Sequence, residues 1–127
     1  MVNSMKGNLL LVDDEEELSE SMKELLEDEA KEIFIANNGA EALLILEEEK
    51  IDCVVSDIKM PIMDGLKFMR IARERGFSQP IIFFTGHGTE QLKREVRELG
   101  ANDLLMKPNF MSLEDSIRKH MSAHLHH

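Results

Sequence analysis

Five polar residues close four apolar runs. Asp13 and Asp14 follow Leu9–Val12, Asp57 follows Ile51–Ser56, Thr85 follows Ile81–Phe84, and Lys107 follows Leu104–Met106. Three carboxylates, a hydroxyl and an ammonium are residue types that handle phosphate or metal. Short apolar runs without polar breaks suit strands buried on both faces, as in a parallel sheet. In such a sheet the carboxyl ends of the strands share one edge, and ligands bind there. The four polar stops then form one site.

Each residue alone has a plainer reading. Asp13 and Asp14 would cap a helix. Asp57 would open a turn before Pro61. Thr85 and Lys107 would be solvated loop residues. What speaks against chance is convergence, since the separate plain roles would have to meet at one edge by accident.

The elements that must position these residues alternate along the chain. After the first strand, Leu18, Met22, Leu25 and Leu26 recur at helical spacing. Ile33–Ala36 is a second strand, and Asn38-Gly39-Ala40-Glu41 has the form of a helix N-cap with its reciprocal glutamate. Gly65–Glu74 is helical with Leu66, Met69 and Ile71 inward, and Gly76 ends it. Leu92, Val96 and Leu99 form a stripe stopped by Gly100. Ser112-Leu113-Glu114-Asp115 is a further cap signal, and Leu113, Ile117 and Met121 give the last helix its apolar face. Strict alternation over about five units implies an α/β fold with helices on both faces of a parallel sheet.

Composition bounds the function. A chain of 127 residues reads as one domain spanning 1–127, with a core over about 8–122. A net charge of -10 argues against direct nucleic acid binding, which needs basic clusters. Glu15-Glu16-Glu17 and Glu47-Glu48-Glu49 read as solvated helix faces. The single cysteine, Cys53, excludes an internal disulfide and alternates with apolar neighbours as a small core residue would. No apolar run has the length of a membrane span, and the opening Met1–Asn8 does not read as a signal peptide, so a cytoplasmic location is expected. Most of the nine methionines sit at core spacing and read as gap-fillers. The histidine-rich end, His120 to His127, reads as a tag remnant or a fraying helix end, with a weak metal tract as the other reading.

From Leu9 to about Met121 the chain resembles the receiver domains of response regulators in two-component signalling. The resemblance rests on Asp13-Asp14, on Asp57 with Pro61 and Asp64-Gly65 behind it, on Thr85-Gly86, and on Lys107-Pro108, all in order on matching elements. It implies a doubly wound five-stranded parallel sheet, order 2-1-3-4-5, of flavodoxin-like type. It also implies a Mg2+ cofactor, whose octahedral oxygen preference suits crowded carboxylates. By resemblance Asp14 is a direct ligand, Asp13 mainly a water-mediated one, and Asp57 both ligand and phosphoacceptor. The backbone carbonyl of Lys59 completes the protein ligands. Lys107 pairs with the phosphoryl oxygens, and Thr85 donates a hydrogen bond to them. The implied donor is a sensor histidine kinase or a histidine phosphotransfer domain. The implied protein is a switch and not an enzyme on other substrates, working as a monomer or as a phosphorylation-dependent dimer through the fourth and fifth helices.

The departures from the family pattern set further expectations. The position three before Lys107 usually carries an aromatic whose rotation couples to the threonine, and here it is Leu104. Leu104 is expected to stay buried, leaving the Thr85 loop to carry the signal. Asn109 separates Lys107-Pro108 from Phe110. Lys59 and His87 neighbour the site, and both are expected to be ordinary solvated or loop residues. Two other classes compete. A haloacid-dehalogenase-type phosphohydrolase needs a second aspartate where Lys59 stands. A pseudo-receiver scaffold is opposed by the intact set of five site residues.

Overall fold

The computed structural model describes residues 6–126, so the sequence reading of residues 1–5 and of His127 lies outside the described part. Strands β1 (Leu9–Val12), β2 (Ile33–Ala36), β3 (Cys53–Ser56), β4 (Ile81–Thr85) and β5 (Asp103–Met106) form one parallel sheet in the order β2-β1-β3-β4-β5. Helices α1 (Glu16–Leu26), α2 (Gly39–Glu48), α3 (Gly65–Glu74), α4 (Glu90–Glu98) and α5 (Phe110–Leu125) connect and cover it. Among the described residues, no helix is long and apolar enough to cross a membrane.

The period of two along each strand splits the core. Leu10, Val12, Val54, Ile81, Phe83 and Leu104 pack with Ala42 and Leu43 of α2, with Phe68, Met69 and Ala72 of α3, and with Val96 of α4. Leu9, Leu11, Cys53, Val55, Ile82 and Phe84 pack on the other face with Met22 and Leu26 of α1 and with Leu113, Ile117 and Met121 of α5. Both faces of the central strands are therefore covered, which is why their runs carry no polar break. Cys53 is fully buried; burial first, and the nearby Asp52 second, push its thiol up to about 12, so it is an inert core residue as expected.

Several boundaries differ from the sequence reading for physical reasons. Strand β3 begins at Cys53 and not at Ile51. Ile51 and Asp52 are buried before it because Asp52 is spent holding the entrance to β1: its carboxylate accepts from the Asn8 N–H at 2.8 Å. Leu25 is 59% exposed, since the inward face of α1 runs through Ser19, Met22 and Leu26. Met69 faces inward as expected, but Leu66 and Ile71 are only partly buried, and Phe68 and Ala72 complete the inward face of α3. Leu99 caps α4 and is 40% exposed. Helix α5 starts before Ser112, because Asn109 caps it by accepting from the Ser112 N–H. The cap at Asn38 is as expected: its side chain accepts from the Glu41 N–H, and Glu41 in turn accepts from the Asn37 N–H. Gly76 and Gly100, both at positive φ, end α3 and α4.

Part of the histidine-rich end is built into the last helix. His120 and His124 are part of α5, where the His124 ring lies 3.3 Å from the buried Asp52 carboxylate and His120 lies 4.0 Å from Asp103. His124 and Asp52 thus tie the end of α5 to the entrance of β1.

A cation with no carboxylate partner among the described residues joins two helix ends. The Arg73 guanidinium donates to the carbonyls of Phe77, Gln79 and Gly100 and to the Asn102 side chain, which itself accepts from the Ile81 N–H. The planar five-donor fork is suited to several acceptors at once. Arg73 thereby fixes the C-terminal end of α4 to the turn after α3. Replacing it with alanine should cost on the order of 2 kcal/mol, because carbonyls bonded to a charged donor lose it together. Denaturant unfolding measures this, and Arg73→Lys should recover only part. Ile62 predicts the opposite sign. It is a β-branched residue at φ 69°, 84% exposed, with little packing to offset the strain. Ile62→Gly should raise stability by roughly 1 kcal/mol in the same assay.

Candidate functional site

The strand register brings the acids together. Val12 pairs with Ser56, so the residues after them, Asp13 and Asp57, stand side by side at the carboxyl edge of adjacent strands. Asp57 is held there by its N–H donating to the Val12 carbonyl at 2.8 Å, and Asp13 by its N–H donating to the Ala36 carbonyl at 3.1 Å. Carboxylate oxygens of Asp13, Asp14 and Asp57 all lie within 4.8 Å of one another. Asp13 is buried, Asp57 is partly so, and Asp14 is exposed. Three hard oxygen donors at this spacing, one facing solvent, fit a magnesium-sized cation that keeps some of its water.

Lys107 completes the cluster from two strands away. Its ammonium donates to Asp13 Oδ2 at 2.8 Å and to Asp57 Oδ2 at 3.0 Å, with Glu15 3.9 Å off. The other oxygen of each aspartate is taken by backbone: Asp57 Oδ1 accepts from the Ile58 N–H at 2.7 Å, and Asp13 Oδ1 from the Glu15 N–H at 3.0 Å. Asp13 and Asp57 thus also bond locally to backbone, which does not exclude the shared role. Backbone N–H groups fix the plane of each carboxylate, which leaves the second oxygen aimed at the common centre. The helix α1 takes no side-chain cap from either aspartate.

The loop behind Asp57 is closed tightly. The Gly65 N–H donates to the Ile58 carbonyl at 2.7 Å, and Asp64 caps α3 by accepting from the Lys67 N–H. A Cβ at Gly65 would run into the Asp57 carbonyl oxygen, so glycine is required by close approach. The Asp57 carbonyl also accepts from the Ser56 hydroxyl at 2.7 Å, a bond that nothing in the sequence pattern announced.

Thr85 sits beside the cluster but does not join it. Its carbonyl accepts from the Lys107 N–H at 2.8 Å, while its hydroxyl oxygen accepts from the His87 N–H at 3.2 Å. By strand parity Thr85 belongs with Phe83 on the α4 face of the sheet, and its side chain is 2% exposed. Lys59 and His87 are exposed, as expected of solvated residues. Leu104 is buried at 5% exposure, also as expected. Outside the acids the site is open. A cleft of about 600 Å³, lined by Asp14, Glu15, Glu16, Glu17, Asn37, Asn38 and Pro61, lies against it. An anionic donor would meet this rim only with cationic help.

An acidic edge on a 2-1-3-4-5 parallel sheet defines a class, and the comparisons agree with it. Residues 9–118 match the family described as the response regulator receiver domain, and the chain belongs to that family. The transcriptional regulatory protein SrrA of Staphylococcus aureus is 38% identical over 104 residues, which cover 82% of this chain and 43% of the relative. The chain therefore spans less than half the length of the curated relatives it matches. Among solved structures, the response regulator protein TrrA of Thermotoga maritima, in complex with Mg2+ and BeF, is 32% identical with a TM-score of 0.79, covering 89% of this chain and 97% of that one. A CheY-like response regulator receiver domain protein from Methanospirillum hungatei is 28% identical with a TM-score of 0.85, covering 94% of this chain and 96% of that one.

Electrostatics give a test within the cluster. Burial lowers the proton affinity of the Lys107 ammonium, but hydrogen bonds and charge from Asp13 and Asp57 together outweigh it, and the pKa is raised. A raised folded-state value means stability fully present below the unfolded lysine pKa of about 10.4 and lost as pH rises through the folded one. Lys107→Met should cost on the order of 2 kcal/mol at pH 7, since it leaves crowded carboxylates without their cation. Thermal unfolding of the variant should also lack the part of the alkaline decline that the wild type shows above about pH 10.

Proposed function

We propose that this protein is a phosphorylation-activated signalling switch whose acceptor is Asp57. The observation that carries the reading is the Lys107 ammonium bridging Asp57 and Asp13 while Asp14 lies within the same 4.8 Å set. The donor is a phosphohistidine on a sensor kinase or a phosphotransfer domain. An Asp57 carboxylate oxygen attacks phosphorus, the P–N bond breaks, and an aspartyl phosphate forms while the departing imidazole takes up a proton. Lys107 meets the charge on the phosphoryl oxygens. Thr85 keeps its hydroxyl hydrogen free to donate to them, because only its oxygen is engaged, by His87.

Asp13, Asp14 and Asp57 would hold Mg2+, with the Lys59 carbonyl as the remaining protein ligand. The bound ion supplies charge neutralisation between the carboxylates and an incoming phosphoryl group. Chemistry is confined to the protein's own modification and its reversal. The output is a change in binding to a downstream protein or attached domain, in keeping with relatives that are transcriptional regulators. The setting that fits such partners is the cytoplasm.

With Mg2+ and acetyl phosphate the protein should gain one base-labile phosphoryl group, and Asp57→Asn should abolish it. Intact mass spectrometry reads the result; full labelling of the variant, or labelling indifferent to EDTA, would sink the assignment. Metal titration separates the other roles. Asp14→Ala should weaken Mg2+ binding at least tenfold, about 1.4 kcal/mol. Lys107→Ala should bind Mg2+ as well as wild type or better, because a competing cation is gone, yet label far more slowly.

A further inference from the structure

The amino edge of the sheet, opposite the acids, carries charge of the other sign. A cleft of about 520 Å³ opens there, lined by Lys6, Gly7, Asn8, Lys31, Lys50 and Asp52 and bordered by Leu125 of α5. In a chain of net charge -10, three lysines from the connections before β1, β2 and β3 thus share one opening. Their backbones are pinned to the same place. The Lys31 N–H donates to the Gly7 carbonyl at 2.8 Å, and the Asn8 carboxamide N–H donates to the Lys50 carbonyl at 2.8 Å. Gly7 is buried, and a Cβ there would collide with the Asp52 carboxylate, so the cleft is built on a close backbone approach. The ion pairs among the described residues leave Lys6, Lys31 and Lys50 without a carboxylate.

Two acceptors lie deeper than the exposed lysines. Asp52 is 3% exposed; its Oδ2 accepts from the Asn8 N–H, and its Oδ1 lies 3.3 Å from the His124 ring. The Asn8 carboxamide oxygen is buried and accepts from no group among the described residues. A buried acceptor left without a donor is costly, so this oxygen calls for a donor from outside the protein. Exposed cations above buried acceptors match a ligand of two parts: an anion for the ammonium groups and hydroxyl groups for Asn8 and Asp52.

We propose that the amino edge binds a hydroxylated phosphate monoester, of the sugar phosphate class. Its phosphoryl oxygens meet Lys6, Lys31 and Lys50, each a mobile point charge suited to phosphate. One hydroxyl donates to Asn8 Oδ1 and another to the Asp52 carboxylate. Inorganic phosphate satisfies the lysines alone and is repelled by Asp52, so the hydroxyls set selectivity. The bound ligand joins the starts of three strands to the end of α5, at Leu125 and through the His124–Asp52 contact. The site shares no residue with the acids and does not depend on Asp57 as acceptor.

The test is an NMR titration of 15N-labelled protein with ribose 5-phosphate, in EDTA and without Mg2+ so that the acids take no part. Amide signals of Gly7, Asn8, Lys31, Asp52 and Leu125 should shift together, with a Kd of about 1 mM or tighter. Inorganic phosphate should bind roughly tenfold more weakly, because it lacks the hydroxyl donors. Ribose alone should shift nothing. Lys31→Gln combined with Lys50→Gln should weaken ribose 5-phosphate roughly tenfold. Lys67→Gln, at an exposed lysine on α3, should leave the affinity unchanged. Wild-type shifts that fall elsewhere, or none at about 10 mM ligand, would overturn the site whether or not the double variant folds. Undiminished binding by a folded double variant would remove the lysines from it. Inorganic phosphate bound as tightly as ribose 5-phosphate would mean an adventitious ion only, and the ligand class would fall.

Discussion

The Lys107 ammonium lies 2.8 Å from one carboxylate and 3.0 Å from another, and the rest of the site depends on that balance. Asp13, Asp14 and Asp57 are too close to be stable as three bare anions in a partly buried setting. One fixed cation reduces the repulsion without removing it. The remaining negative charge leaves the cluster hungry for a further cation, and the ammonium is already placed where anionic oxygens would arrive. A single lysine therefore stabilises the resting fold and prepares the site. The two roles conflict only mildly, because a lysine on a flexible stem can exchange carboxylate partners for phosphoryl ones.

Much of this was legible because parallel sheets translate sequence into position with few free parameters. An unbroken run such as Leu9–Val12, set between helical patterns, suits a strand covered on both faces, and the residue after it then stands at the common edge. Asp13 and Asp57 are neighbours for that reason alone, one position past a paired Val12 and Ser56. A cap was legible where a side chain bonds within a few residues, as at Asn38. The fold order itself came from family likeness, since alternation implies a parallel sheet without saying which strands adjoin.

What escaped the sequence has a common physical cause: partners far apart along the chain, or partners that are backbone atoms with no residue identity. Arg73 reaches Gly100 and Asn102, 27 and 29 positions away, and three of its acceptors are carbonyls that any residue would offer. Asp52 and His124 are 72 positions apart, and no pattern links them. Helix faces failed by small rotations for a related reason. Leu25 and Leu99 have the right residue type at nearly the right spacing, but the inward direction is set by what lies beneath, which the helix does not encode.

The same geometry explains how a small chemical change can be felt outside the site. Thr85 stands between two sets of bonds: its carbonyl is tied to Lys107, among the acids, and its hydroxyl to the loop that begins α4. Its side chain is buried and its strand is flanked on both sides, so it has little room to respond except by rotating that hydroxyl. The loop beyond it is exposed at Gly86 and His87, and α4 contributes one fully buried residue to the core. Stiffness on one side and weak attachment on the other decide where a displacement goes. A group added at the acids would meet packed strands, which are not continuously deformable. Of the elements around it, the loop held by single N–H bonds would cost least to move, while Arg73 fixes the far end of α4.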